Sequence, residues 1–211
     1  MINYVSRHTF LKRGILIVIV AVVALTVGYT GFGALKHPSS SVARDPLFPS
    51  DYRVTTLSSD KQVAIARGHH LTVVMLMASW CLYCAYEDKY VWPQVIRTDP
   101  GMTINIVDVS QYGGIGAPGP QSPPFTGHDN VGPAITVLGM RRTMQQYQAR
   151  YGLHEPQIHV FIDPTGLTYW NATTFPTLLF INSSGHLVER INGALPPQRM
   201  LQVIYQLGHD S

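Results

Sequence analysis

From Gly14 to Leu35 the chain reads GILIVIVAVVALTVGYTGFGAL, without a charged side chain or a polar face. As a helix rising about 1.5 Å per residue, this run would extend roughly 33 Å, enough to cross a hydrocarbon core. Arg7, Lys12 and Arg13 precede it, whereas only Lys36 and Arg44 follow closely. That asymmetry predicts residues 1–13 in the cytoplasm, a transmembrane anchor over 14–35 and everything after it outside. A cleavable signal peptide is the alternative: the densest apolar stretch, Ile15 to Val27, is short, and Ser41-Val42-Ala43 has the small-x-small form of a cleavage site. That site lies far beyond the apolar stretch, which favours a retained anchor, and both readings export the remainder. Residues 36–53 lack periodicity and contain Ser and Pro, as a tether does.

The folded domain is expected over 54–211. Ser58 or Ser59 is placed to cap a short helix through Ala66, with Gly68 closing it. Leu71 to Ala78 (LTVVMLMA) is a continuous apolar run, the pattern of a strand covered on both faces. A helical stretch follows to about Tyr90, Pro93 starts another short turn, and Met102 to Val109 is the next strand. Ser110 to Pro133 holds six glycines and five prolines without periodicity. A stretch of that length is either functional or a mobile insertion. Val137, Met140, Met144, Tyr147 and Tyr151 then form one helical stripe, read as core, with Arg141, Arg142, Gln145, Gln148 and Arg150 largely off it. Strands over Thr177 to Asn182 and His186 to Asn192 flank a turn at Ser183-Ser184-Gly185. A last helix begins near Pro197 with Met200, Leu201, Ile204 and Leu207 inward. Alternating strands and helices ending in a hairpin and a helix predict an α/β fold, a mixed central sheet flanked by helices.

Charge adds one exclusion: a net charge of +3, scattered along the chain, argues against a nucleic-acid partner. The two cysteines, Cys81 and Cys84, are too few and too close for a disulfide framework, so they are free for chemistry. They stand where a buried strand gives way to a helix. Unpaired N–H groups and the helix dipole there favour a thiolate at Cys81. Cys84, one turn further in, is placed to close onto Cys81 and resolve a mixed disulfide. A closed zinc site needs four ligands and no other cysteine exists, so no metal is expected. His69 and His70 precede a whole strand and read as solvated turn residues. An inert buried pair is the remaining alternative.

Trp80-Cys81-Leu82-Tyr83-Cys84 resembles the Trp-Cys-x-x-Cys active site of the thioredoxin superfamily. Phe175-Pro176-Thr177-Leu178-Leu179-Phe180-Ile181-Asn182, with Asn192-Gly193-Ala194-Leu195 before the last helix, is similar to that family's C-terminal half. The resemblance implies a cis Pro176 packed against the cysteine pair, and Phe175 backbone groups that pair with an extended substrate segment. Within the superfamily, Met77-Ala78-Ser79-Trp80-Cys81 and Asp88-Lys89-Tyr90-Val91-Trp92 look most like the C-terminal domain of DsbD-type membrane disulfide reductases, which makes Asp88 an acid that tunes the cysteines. It covers about 54–110 and 173–208, leaving 110–172 as an unmatched insertion. Departures are Met75 where thioredoxins carry a buried acid, Ala85 where a lysine is frequent, and the bulk of Phe175.

The combined expectation is a single-pass protein of a bacterial inner membrane with a periplasmic thioredoxin-like domain. It would exchange disulfides with exported proteins in the reducing direction, fed by a membrane or periplasmic thiol partner, with no cofactor beyond the Cys81–Cys84 disulfide. A disulfide-introducing oxidase, or a non-catalytic binding or copper-delivery module using a histidine, are the competing readings.

Overall fold

The computed structural model describes residues 46–121 and 126–209. The apolar run 14–35 lies outside the described residues; within them no helix is long and apolar enough to cross a membrane.

Seven strands form one mixed sheet: β1 (Val54–Thr56), β2 (Gln62–Val63), β3 (Thr72–Met77), β4 (Thr103–Asp108), β5 (Ile158–Ile162), β6 (Thr177–Ile181) and β7 (Leu187–Asn192), in the spatial order β2-β1-β5-β4-β3-β6-β7. β3, β4 and β5 are parallel, and β6, β7, β1 and β2 extend the sheet antiparallel on its two sides. β3 is wholly buried because both its faces are covered. Val73, Met75 and Met77 face one core with α1 (Leu82–Tyr86), α2 (Trp92–Thr98), α3 (Val137–Tyr151) and α5 (Pro197–His209). Val74 and Leu76 face a second core with Phe48, Tyr52 and Trp170, the last ending the short α4 (Gly166–Tyr169). The thioredoxin-like α/β architecture is therefore as expected.

Three elements differ from the sequence reading. No helix forms after Ser59: its hydroxyl accepts from Lys61 N at 3.3 Å and its carbonyl from Thr56 Oγ1 at 3.1 Å, so it caps the tight turn between β1 and β2. Ile158–Ile162, inside the stretch read as an unmatched insertion, is β5 and lies between β4 and β1. A π-helical turn, Glu87–Val91, joins α1 to α2, where separate helical pieces were expected. The α3 stripe holds: Met140, Met144 and Tyr147 are fully buried, while Val137 at its start is exposed.

Candidate active site

Cys81 lies just past the C-terminal end of β3 in extended conformation (φ −79°, ψ 128°), and the helix starts at Leu82. The first-turn amides of that helix therefore point toward the Cys81 sulfur. Cys81 is 4% exposed and Cys84 is fully buried; both are free thiols. The Cys84 thiol hydrogen-bonds Cys81 and holds its pKa below the ordinary thiol range; burial opposes this, and the Cys84 and Tyr83 N–H groups reinforce it. Burial pushes Cys84 well above that range, and its interaction with Cys81 adds to the effect. The pair is thus split into a sulfur that ionises readily and one that holds its proton.

The C-terminal motif meets this pair. The Phe175–Pro176 peptide bond is cis, the Phe175 carbonyl is 3.7 Å from Cys81 Sγ, and Trp80 packs edge-on against the Phe175 ring at 5.9 Å. Trp80 Nε1 donates to Ser110 Oγ at 2.8 Å, and Ser110 N to Asp108 Oδ1 at 3.0 Å.

The segment after β4 closes over the thiols. Gly116 N donates to Ser79 O and Asn130 N to Trp80 O, each at 2.9 Å. A Cβ on Gly116 would stand 2.6 Å from the Cys81 backbone, so only glycine allows this approach. Asp129 Oδ1 accepts from Leu82 N at 2.8 Å, placing a carboxylate at the start of the active-site helix. The described parts of this stretch, 110–121 and 126–133, thus pack over the Cys81 backbone as a cover.

Three buried acids surround the site. Glu87 Oε1 accepts from Leu195 N at 2.9 Å while Oε2 has no hydrogen-bond partner; burial raises its affinity for a proton strongly. Gly193, two residues before Leu195, donates to Pro176 O at 2.7 Å, tying the connection between β7 and α5 to the cis-proline segment. Asp88 Oδ2 accepts from the Tyr147 hydroxyl at 2.5 Å and Oδ1 is unpaired; burial pushes this carboxyl up to about 7. Burial does the same to Asp108, again to about 7. Met75, in place of the thioredoxin acid, receives Trp92 Nε1 on its sulfur at 3.3 Å.

The structure thus brings Trp80, Cys81, Cys84, Asp88, Phe175 and Pro176 to one place. It also adds Glu87, Asp108, Gly116, Asp129 and Tyr147, which sequence reasoning missed. Tyr147 was legible as stripe but not as a donor; a buried tyrosine hydroxyl needs an acceptor, and that requirement was the available signal. His69 and His70 stand beyond the other end of β3, six residues or about 20 Å of strand from the cysteines, near Asp99 and Ser183.

The thioredoxin-like domain family profile matches residues 57–208, and the chain belongs to that family. The matched span includes residues 111–172. Among solved structures, the chain is similar to a thiol:disulfide interchange protein of the thioredoxin family from Chlorobium tepidum (17% identity, 78% of this chain and 97% of that one, TM-score 0.53). It is also similar to a secreted Mycobacterium tuberculosis disulfide oxidoreductase homologous to DsbE (17%, 74% and 96%, TM-score 0.50) and to a thioredoxin-like protein from Aeropyrum pernix (14%, 74% and 88%, TM-score 0.50). At these identities the likeness shows the fold alone; the family rests on the profile, which is the general thioredoxin-like one and not specific to the DsbD-type domain. No curated protein matches the chain.

Proposed function

We propose that this chain is a thiol–disulfide oxidoreductase that reduces disulfides of exported proteins. The observation that carries the reading is the asymmetric pair: an acidified, nearly covered Cys81 at a helix start beside a fully buried, proton-holding Cys84. Cys81 thiolate attacks a substrate disulfide, forming a mixed disulfide and expelling one substrate thiolate. Asp88, one turn beyond Cys84, takes the Cys84 proton. Cys84 thiolate then attacks the Cys81 sulfur, closing the Cys81–Cys84 disulfide and releasing the second substrate thiolate. Phe175 backbone groups receive the extended substrate strand, and Trp80 and Pro176 shape the groove.

The reducing direction is part of the proposal; in it Cys84 must lose its proton when it attacks, and the buried Asp88 carboxyl beside it is placed to take it. Residues 14–35 are proposed as a single membrane anchor that places the domain on the periplasmic side. A membrane or periplasmic thiol partner would return the pair to the dithiol, with no other cofactor.

Substitution tests the assignment. Cys81→Ser is expected to abolish turnover of insulin disulfides, and Cys84→Ser to accumulate mixed disulfides that gel shift under non-reducing conditions detects. Turnover that survives without Cys81 would end the proposal.

A further inference from the structure

We propose that Tyr147 is a positioning residue of the resolving step: its hydroxyl bond to Asp88 sets the pH at which Cys84 becomes a nucleophile. The inference rests on the reading of Asp88 as the Cys84 proton acceptor. Asp88 follows Cys84 by four residues, hence on the same helix face, and is completely buried. A carboxyl alone in such a place keeps its proton at neutral pH and is useless as a base. Tyr147, equally buried on α3, donates to Oδ2 at 2.5 Å, leaving Oδ1 without a hydrogen-bond partner. A donor on one oxygen stabilises the carboxylate and leaves the other free for a proton.

The ionisable groups facing Asp88 are Cys81 just before α1, Cys84 within it, Glu87 beside it, and Tyr147 and Tyr151 from α3. Lys89, the neighbouring cation, lies over the Tyr90 ring, 5.0 Å from its centroid. Among these, the Tyr147 hydroxyl is the group that lowers the proton affinity of Asp88 against its burial, holding it near 7. Stability alone does not explain the pair, because replacing both members of a buried hydrogen bond by apolar groups of the same shape is close to neutral. Tyr147 also packs at a tilt against Tyr151, ring centroids 4.6 Å apart, and Tyr151 donates to the Gly116 carbonyl over Cys81. The donor is thus held between the buried acid and the cover of the other thiol.

The test is single-turnover reduction of a peptide disulfide by the full chain, separating mixed-disulfide formation from its first-order resolution between pH 5.5 and 9.5. Tyr147→Phe is expected to move the midpoint of the resolution step up by about one pH unit and slow it about fivefold at pH 7, with the alkaline plateau kept. Asp88→Asn is expected to remove that midpoint, and the double variant to behave as Asp88→Asn does. A ring-fluorinated tyrosine at position 147, a stronger donor of the same shape, moves the midpoint down and serves if Tyr147→Phe does not fold. An unmoved midpoint with either Tyr147 replacement, alongside a midpoint lost in Asp88→Asn, overturns the role of Tyr147 alone. A midpoint that survives Asp88→Asn overturns the Asp88 reading and this inference with it.

Discussion

Cys81 and Cys84 are chemically identical side chains that their surroundings drive apart. Cys81 accepts hydrogen bonds from the Cys84 thiol and two amide N–H groups, which lower its proton affinity; Cys84 is sealed in the core, which raises it. Iodoacetamide applied to the reduced chain at pH 6–7 is therefore expected to label Cys81 and spare Cys84, as peptide mass mapping would read; equal labelling would remove the asymmetry on which the mechanism rests. At this scale the sequence was most informative about the cysteines, since two residues at a strand–helix boundary carry their own physical logic. Phe175 and Pro176 were legible only through resemblance. The acids were legible in part: Asp88 stood in a motif, whereas nothing local separates Glu87 or Asp108 from solvated carboxylates, because burial is decided by strands and loops distant in sequence. Met75 looked like a missing base; the structure makes it core, with the Trp92 indole on its sulfur.

At the scale of elements, the segment after β4 packs over the Cys81 backbone. Glycine at 116 brings the backbone against Cys81, and Asp129 caps the helix that Cys81 opens. Gly116→Ala would force a Cβ to within 2.6 Å of the Cys81 backbone. It is expected to cost about 1–3 kcal/mol in urea unfolding and to speed Cys81 alkylation, because the cover must lift. Unchanged stability and labelling would show that the cover is not tight. β3, β4, β6 and α3 were readable because long runs and sustained stripes report burial directly. β1 and β2 were not, since strands of three and two residues carry too little pattern and Ser59 caps turns and helices alike. β5 escaped because Ile158–Ile162 is five residues long and interrupted by His159, although its neighbours bury it at the middle of the sheet.

At the scale of the molecule, buried carboxyls link folding to pH. Asp88 and Asp108 are pushed from the ordinary carboxylate range up to about 7 by burial. Groups that bind protons more tightly folded than unfolded support the fold fully below about pH 4, and that support is lost as pH rises toward 7. Asp108→Asn is accordingly expected to leave stability unchanged near pH 4 and to raise it by on the order of 1–3 kcal/mol at pH 8, read from urea midpoints. A gain of equal size at both pH values would mean that Asp108 is not held protonated. The fold tolerates this cost beside its redox pair, and the pair is where the account is most exposed. The decisive measurement equilibrates the full chain across glutathione buffers and counts free thiols by alkylation and mass. Cys81 and Cys84 are expected to convert together between dithiol and disulfide, with a midpoint below about −200 mV. A midpoint at or above about −150 mV would contradict the reducing direction, and thiols that never pair in any buffer would contradict the central claim.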